Sequence, residues 1–183
     1  VTELRFRVAT ADDVANVVAL VESAYRGESS RDGWTTEADL LGGQRTDAEA
    51  VRDLIAAPGQ VVLLALEADD TLLGCCELRR RADGTAYFGM FAVVPRRQGD
   101  GIGKAVLAEA ERRVVDDWSA RRMEMTVLVQ REELIAWYER RGYRRTGRME
   151  PFPKTDPRFG LPRRPDLVLE VLAKDLTTEA PPR

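Results

Sequence analysis

"FAVVPRRQGDGIGKAV" occupies residues 91–106. It closes a run with strand character, turns through Gly99, Gly101 and Gly103, and opens an amphipathic stretch at once. Glycine at that density either takes left-handed backbone or brings the main chain close to something else. A helix that begins there presents N–H groups without intrahelical partners and the positive end of its dipole, and both favour a phosphate. Walker A spacing is excluded, because Gly99 lies too close to Gly103-Lys104 and Ala105 stands where a hydroxyl is needed. Evenly spaced glycines also fail the dinucleotide pattern G-x-G-x-x-G. A tight strand-to-helix turn is the plain alternative, but three alternating glycines favour anion binding over it.

Working outward, residues 85–94 read as a strand that leads into the glycine turn. The following helix sets Ile102, Val106, Ala110, Val114 and Trp118 on one stripe, and a strand at 123–129 comes next. That β-α-β order requires two parallel strands joined by a right-handed crossover. Upstream, stretches at 61–67, 72–79 and 85–94 are separated by "ADDT" and "ADGT", so this part is expected to be antiparallel, with Asp83-Gly84 as a hairpin turn. "LRFRVA" at 4–9 reads as a further strand. Thr10 with Asp13 caps a helix carrying Val14, Val17, Val18, Val21 and Tyr25. The same start signal recurs twice. Thr36 with Asp39 opens a short turn that Gly42-Gly43 ends, and Thr46 with Glu49 opens a helix that stops near Pro58-Gly59. Downstream, a helix at 132–141 ends at Gly142, and strands follow at 143–149 and 166–176. The proline-bearing segment 150–165 reads as a long loop within one domain, 1–176, and 177–183 as a disordered tail.

Composition narrows the chemistry. The chain has 183 residues, 44% hydrophobic and 32% charged, with a formal net charge of −3. That balance disfavours a nucleic-acid partner. No apolar run reaches bilayer length and no leader is visible at 1–10, so a cytoplasmic protein without a membrane partner is expected. There is no histidine, which removes Ser-His-Asp and Cys-His nucleophile systems and any His-bearing zinc site. Cys75 and Cys76 are strand neighbours pointing to opposite faces, so they read as small core residues in a reducing compartment. Catalysis is left to carboxylates, tyrosine, lysine, arginine, backbone dipoles or water.

One further pattern fits. Gln98-Gly99-Asp100-Gly101-Ile102-Gly103, preceded by "FAVVP", matches Q/R-x-x-G-x-G/A and resembles the acetyl-CoA signature of the GCN5-related N-acetyltransferases, the GNAT family. "LIAWYERRGY" at 134–143 is similar to that family's A-x-x-x-Y-x-x-x-G-F segment, and the order of elements agrees over 5–176. The resemblance implies an α/β fold: a mixed, mostly antiparallel sheet of about seven strands, helices on both faces and a central parallel β-α-β unit for CoA. It implies transfer of acetyl from acetyl-CoA to a primary amine of a small molecule or peptide, by direct attack, with no metal, in a chain that forms a homodimer. Backbone N–H groups of Gln98, Gly99, Asp100, Gly101, Ile102, Gly103 and Lys104 would hold the pyrophosphate. Phe91, Ala92 and Val93 would bond the pantetheine arm like an added strand, beside a slot where the parallel strands splay. An N–H near Val93 would polarise the thioester carbonyl, and Tyr138 would protonate the departing thiolate.

The chain also departs from that family. Arg131 stands where an Asn is common, seven residues before Tyr138, and its guanidinium would reach a phosphate instead. Leu134 replaces the usual Ala. Asp100 sets a carboxylate beside the anion site, to be offset by Arg96, Arg97 and Lys104. "AYFGMFAVV" lacks the acidic residue with which many relatives draw the proton from the amine. Glu28, Trp34 and Glu37, in or beside "GWTTEADLL" at 33–41, are candidates for binding the acceptor amine; a solvated capped turn over a packed Trp34 explains them equally well. Glu77 is a base candidate or a residue of an exposed strand face, and Tyr138 a proton donor or a packing partner of Leu134. Arg158, Arg163 and Arg164 read as a charged, soluble loop before they read as a site for an acidic acceptor. Segments 33–41 and 150–165 are expected to flank the acceptor. A non-catalytic CoA sensor and a transferase of longer acyl groups stay open beside acetyl transfer.

Overall fold

The computed structural model describes residues 3–153 and 156–176, so the expected tail at 177–183 lies outside the described residues. In chain order the elements are β1 (Arg5–Val8), α1 (Val14–Tyr25), β2 (Leu41–Gly42), α2 (Ala48–Ala56), β3 (Gln60–Leu66), β4 (Leu72–Arg80) and β5 (Thr85–Val93). They continue with α3 (Ile102–Trp118), β6 (Arg122–Leu128), α4 (Glu132–Glu139), β7 (Arg144–Pro151), β8 (Leu161–Pro162) and β9 (Val168–Asp175). Seven strands form one sheet in the order β1-β3-β4-β5-β6-β9-β7. Every neighbouring pair is antiparallel except β5 and β6, the two strands that α3 connects. No helix among the described residues is long and apolar enough to cross a membrane.

The cysteine pair shows how the sheet divides two cores. Cys76 faces α3 and α4, among Ile102, Val106, Ala110 and Ile135. Cys75 faces α1 and α2, among Val17, Val21 and Val51. Each side chain is fully buried.

Helix starts follow local chemistry, with one shift. Asp13 Oδ2 accepts from the Thr10 N–H at 2.8 Å, as a capping box requires, and Arg7 grips both carboxylate oxygens at 2.7 and 2.8 Å. At α2 the cap is Asp47 and not Thr46: Asp47 Oδ1 accepts from the Ala50 N–H at 2.8 Å. The Arg45 and Thr46 N–H groups instead donate to Glu22 Oε1 on α1, at 2.6 and 2.7 Å, which holds that backbone outside the helix. In the 36–39 turn Thr36 Oγ1 accepts from the Ala38 N–H, while Asp39 pairs with Arg31 and does not close a box.

Segment 150–165 is not a plain loop. β7 runs on to Pro151, and β8 pairs antiparallel with β2 through Leu41↔Pro162 and Gly42↔Leu161. A small core of Leu41, Leu128, Phe152 and Leu167 lies beneath the pair.

Two irregularities open the middle of the sheet. β5 and β6 pair only through Thr85↔Arg122, Ala86↔Met123 and Tyr87↔Glu124, then separate. Against β4, Cys75 faces Ala92 but Glu77 faces Gly89, so β5 carries an extra residue there. Met90 takes it up at φ 43, a bulge that bends β5 away from β6.

Candidate active site

The glycine turn performs two separate tasks. Gly99 and Gly101 sit at φ 99 and 85, and a Cβ on either would project into open space, with no atom within 4 Å. Gly101 is the N-cap of α3, so the first N–H groups of a 17-residue helix point past it. Gly103 is a packing glycine: a Cβ there would come within 3.2 Å of the Phe91 ring and 3.6 Å of Trp137.

In front of this turn lies a cavity of about 150 Å³, lined by Phe91, Ala92 and Val93, the glycine turn, Lys104 and residues of α4. Lys104 forms no ion pair among the described residues. Asp100 is matched by Arg97, at 2.8 Å, and Arg97 also reaches Glu67 at 3.0 Å. Arg96 pairs with Asp32 at 3.0 Å. The local positive charge at the helix start is therefore Lys104, with Arg141 further along the wall. Arg141 stacks 3.5 Å above the Trp137 ring and donates to its carbonyl at 2.7 Å. Gln98 Nε2 donates to Val93 O at 3.3 Å, while its Oε1 is buried against Gly33 without a partner among the described residues.

A second cavity, about 250 Å³, lies behind the first, between the diverging strands. Tyr25, Phe91, Arg131, Leu134 and Tyr138 line both. Tyr138 is 4% exposed, its ring edge-on to Trp137 and Tyr143, and its hydroxyl makes no hydrogen bond among the described residues. Burial pushes that hydroxyl well above the usual tyrosine range. Tyr25 donates to Phe91 O at 2.6 Å, and burial raises it to about 12. Both phenols thus keep their protons at neutral pH, and one carbonyl of β5 is already engaged by Tyr25.

The remaining sequence candidates fall into different places. Trp34 is not packed beneath its turn: it is 46% exposed and lines the first cavity. Glu37 is 6% exposed in the second cavity, held by Arg26 and by Arg131 at 3.2 Å. Arg131 Nη2 also donates to Thr35 Oγ1 at 3.0 Å, so its guanidinium grips segment 33–41 at the boundary of the cavities. Glu28 is exposed beside Arg31 and lines neither cavity. Glu77 is not on an exposed face. It is 7% exposed, because both faces of β4 are covered, and it lines the second cavity beside Arg79. Arg158 and Arg164 pair with Asp156 and Asp166 two residues away.

Sequence reasoning missed Tyr25, Arg45, Trp137 and Arg141. Tyr25 read as one more apolar position of α1. Trp137 and Arg141 stand four residues apart, the spacing of a stacked pair on one helix face, and that signal was available. Among the described residues no group of three or more His, Cys, Asp or Glu is placed to hold a metal ion.

The sheet thus parts within its one parallel pair, with the N-terminus of α3 at the opening. The family model described as "Acetyltransferase (GNAT) family" matches residues 21–143, and the chain belongs to that family. Solved structures agree in fold. A chimera of the spermidine N-acetyltransferase SpeG from Vibrio cholerae and hSSAT superposes with a TM-score of 0.68 at 15% identity, covering 96% of each chain. The spermidine/spermine N-acetyltransferase SpeG from Vibrio cholerae gives 0.66 at 15% identity, over 95% of this chain and 93% of that one. A GNAT-family acetyltransferase from Staphylococcus aureus gives 0.65 at 12% identity, over 96% and 100%. No curated protein sequence matches the chain at a significant level.

Proposed function

We propose that the protein transfers the acetyl group of acetyl-CoA to a primary amine of a small molecule or peptide. The observation that carries this reading is that two cavities of different character meet at Tyr138 and Phe91. The residues of the first fit the donor. Gly99 and Gly101 leave the start of α3 bare of side chains, and Lys104 supplies positive charge. When bound there, acetyl-CoA supplies an activated thioester.

The second cavity is where the amine enters. Glu77 is the base: it has one guanidinium partner, the half-exposed Arg79, whereas Glu37 is shared by two buried ones, Arg26 and Arg131. Glu77 takes a proton from the attacking nitrogen as the new C–N bond forms. Tyr138 gives its proton to the sulfur as the C–S bond breaks, and recovers one from solvent. A backbone N–H near Val93 would polarise the carbonyl oxygen; that of Val94 is not available, since it donates to Leu73 O at 2.9 Å. No enzyme-bound acyl group is needed, which accords with the lack of histidine.

A screen of amines with acetyl-CoA, read by release of free thiol, tests the reading. Tight CoA binding in calorimetry with no thiol release for any amine or acyl-CoA would make the protein a sensor. Faster release from longer acyl-CoAs would change the donor and leave the reaction type intact.

A further inference from the structure

The second cavity carries its charges unevenly. Glu37, Arg45, Glu77, Arg79 and Arg131 line it. Each carboxylate is matched inside the protein: Glu37 by Arg26 and Arg131, Glu77 by Arg79. Arg45 is different. Among the described residues its guanidinium has no carboxylate partner. Its carbon lies 5.1 Å from the centroid of the Tyr25 ring, on the wall that the two cavities share. The main chain from which it projects is fixed, since the Arg45 and Thr46 N–H groups both bond Glu22. A guanidinium held against an aromatic ring keeps its N–H edges for a carboxylate or phosphorus oxyanion, and does so with little loss of side-chain freedom.

A polycation entering here would find no unmatched carboxylate and one unmatched guanidinium, so its extra ammonium groups would be desolvated without compensation. An amine bearing an oxyanion would find the reverse. Its anionic end would meet Arg45, and its amino group would reach Glu77. Leu41, Leu128 and Phe152 would cover its apolar side chain.

We propose that the acceptor is a primary amine that also carries a carboxylate or a phosphorus oxyanion, and that Arg45 binds that oxyanion. This rests on the transferase reading above and specifies its acceptor class.

The test compares matched amines by thiol release from acetyl-CoA. L-Leucine is paired with isopentylamine, L-phenylalanine with 2-phenylethylamine, and L-alanine and 1-aminoethylphosphonate with ethylamine; spermidine and spermine complete the set. The oxyanion-bearing member of a pair should show kcat/KM higher by on the order of tenfold or more, the size of one charge-assisted hydrogen bond. The alanine and aminophosphonate arms then tell a carboxylate site from a phosphonate site. R45Q should bring the ratio within each pair close to one, acting mainly through KM, and R45K should keep part of the preference. Preference of the wild type for the uncharged partners or for the polyamines overturns the proposal while leaving the transfer reaction in place. So does an R45Q variant that loses both members of a pair equally. Should R45Q not fold, the wild-type ratios and R45K still decide. Absence of thiol release with every amine would overturn the transferase reading itself.

Discussion

Tyr138 and Glu77 reach their places by different routes, and single substitutions separate chemistry from packing at each. Tyr138 faces inward from α4 because Leu134, one turn earlier, and Ile135 are buried with it. Burial strengthens its hold on the proton, so it is a weaker donor than a free tyrosine, and the lower end of the usual general-acid contribution applies. Tyr138→Phe keeps the ring against Trp137 and Tyr143 and removes the donor. It should lower kcat by about 10² with CoA affinity and Tm nearly unchanged. A kcat within about threefold of wild type would return Tyr138 to a packing role. Glu77→Gln is isosteric and leaves Arg79 in place. It should cut kcat/KM by about 10²–10⁴ with CoA affinity unchanged; activity within about threefold of wild type would point to a water or to another carboxylate as base. Both residues are named by the sequence, but only the structure removes the exposed-face reading of Glu77, by burying it on β4.

Helix ends carry the next level of specificity. Gly101 caps α3 at φ 85, where a β-branched residue is strained, and its missing Cβ leaves the first N–H groups of the helix accessible. Gly101→Val should raise the CoA Kd at least tenfold in calorimetry on folded protein; unchanged affinity would remove the donor site from this turn. At α1 the carboxylate of Asp13 bonds Arg7 and the Thr10 N–H, and these hold it at about pKa 2. A depressed carboxylate stabilises the fold above its unfolded pKa and loses that contribution as pH falls through its folded value. Asp13→Asn should therefore cost about 1–2 kcal/mol near pH 7, Arg7 being half exposed, and the two proteins should converge near pH 2 in urea unfolding. The unit β5-turn-α3-β6 is legible in the sequence because its signals are contiguous: strand, glycines, stripe, strand. The Asp47 cap is not, since Thr46 and Asp47 are both good caps and Glu22, far back in α1, decides between them. The β2–β8 pair is invisible for a related reason. Two residues carry no periodicity, and their partners are distant in the chain.

At the scale of the whole molecule, the acceptor side is assembled from segments that local pattern cannot join. Glu37 shows why. In the sequence it is an acidic residue in a polar turn, read equally well as a carboxylate for the acceptor amine or as part of a solvated capped turn. In the structure it is the point where segment 33–41 is fastened to the end of α1, through Arg26, and to the start of α4, through Arg131. Thr35 adds a second bond to Arg131. Three distant parts of the chain thus meet at one carboxylate, beside the boundary of the two cavities. A buried carboxylate shared by two guanidiniums is costly to remove, because both cations are left in a poorly solvated place. Glu37→Gln should lower stability by about 3–5 kcal/mol, whereas Glu28→Gln, at an exposed pair in the same region, should change it by less than about 0.5 kcal/mol. The loosened segment should raise the acceptor KM well before it affects CoA affinity, because the glycine turn and Lys104 do not depend on Glu37. Unfolding curves and two-substrate kinetics on the same preparation check both effects. If Glu37→Gln is as stable as Glu28→Gln and raises only the acceptor KM, the carboxylate serves the amine directly and not the fastening of the segment.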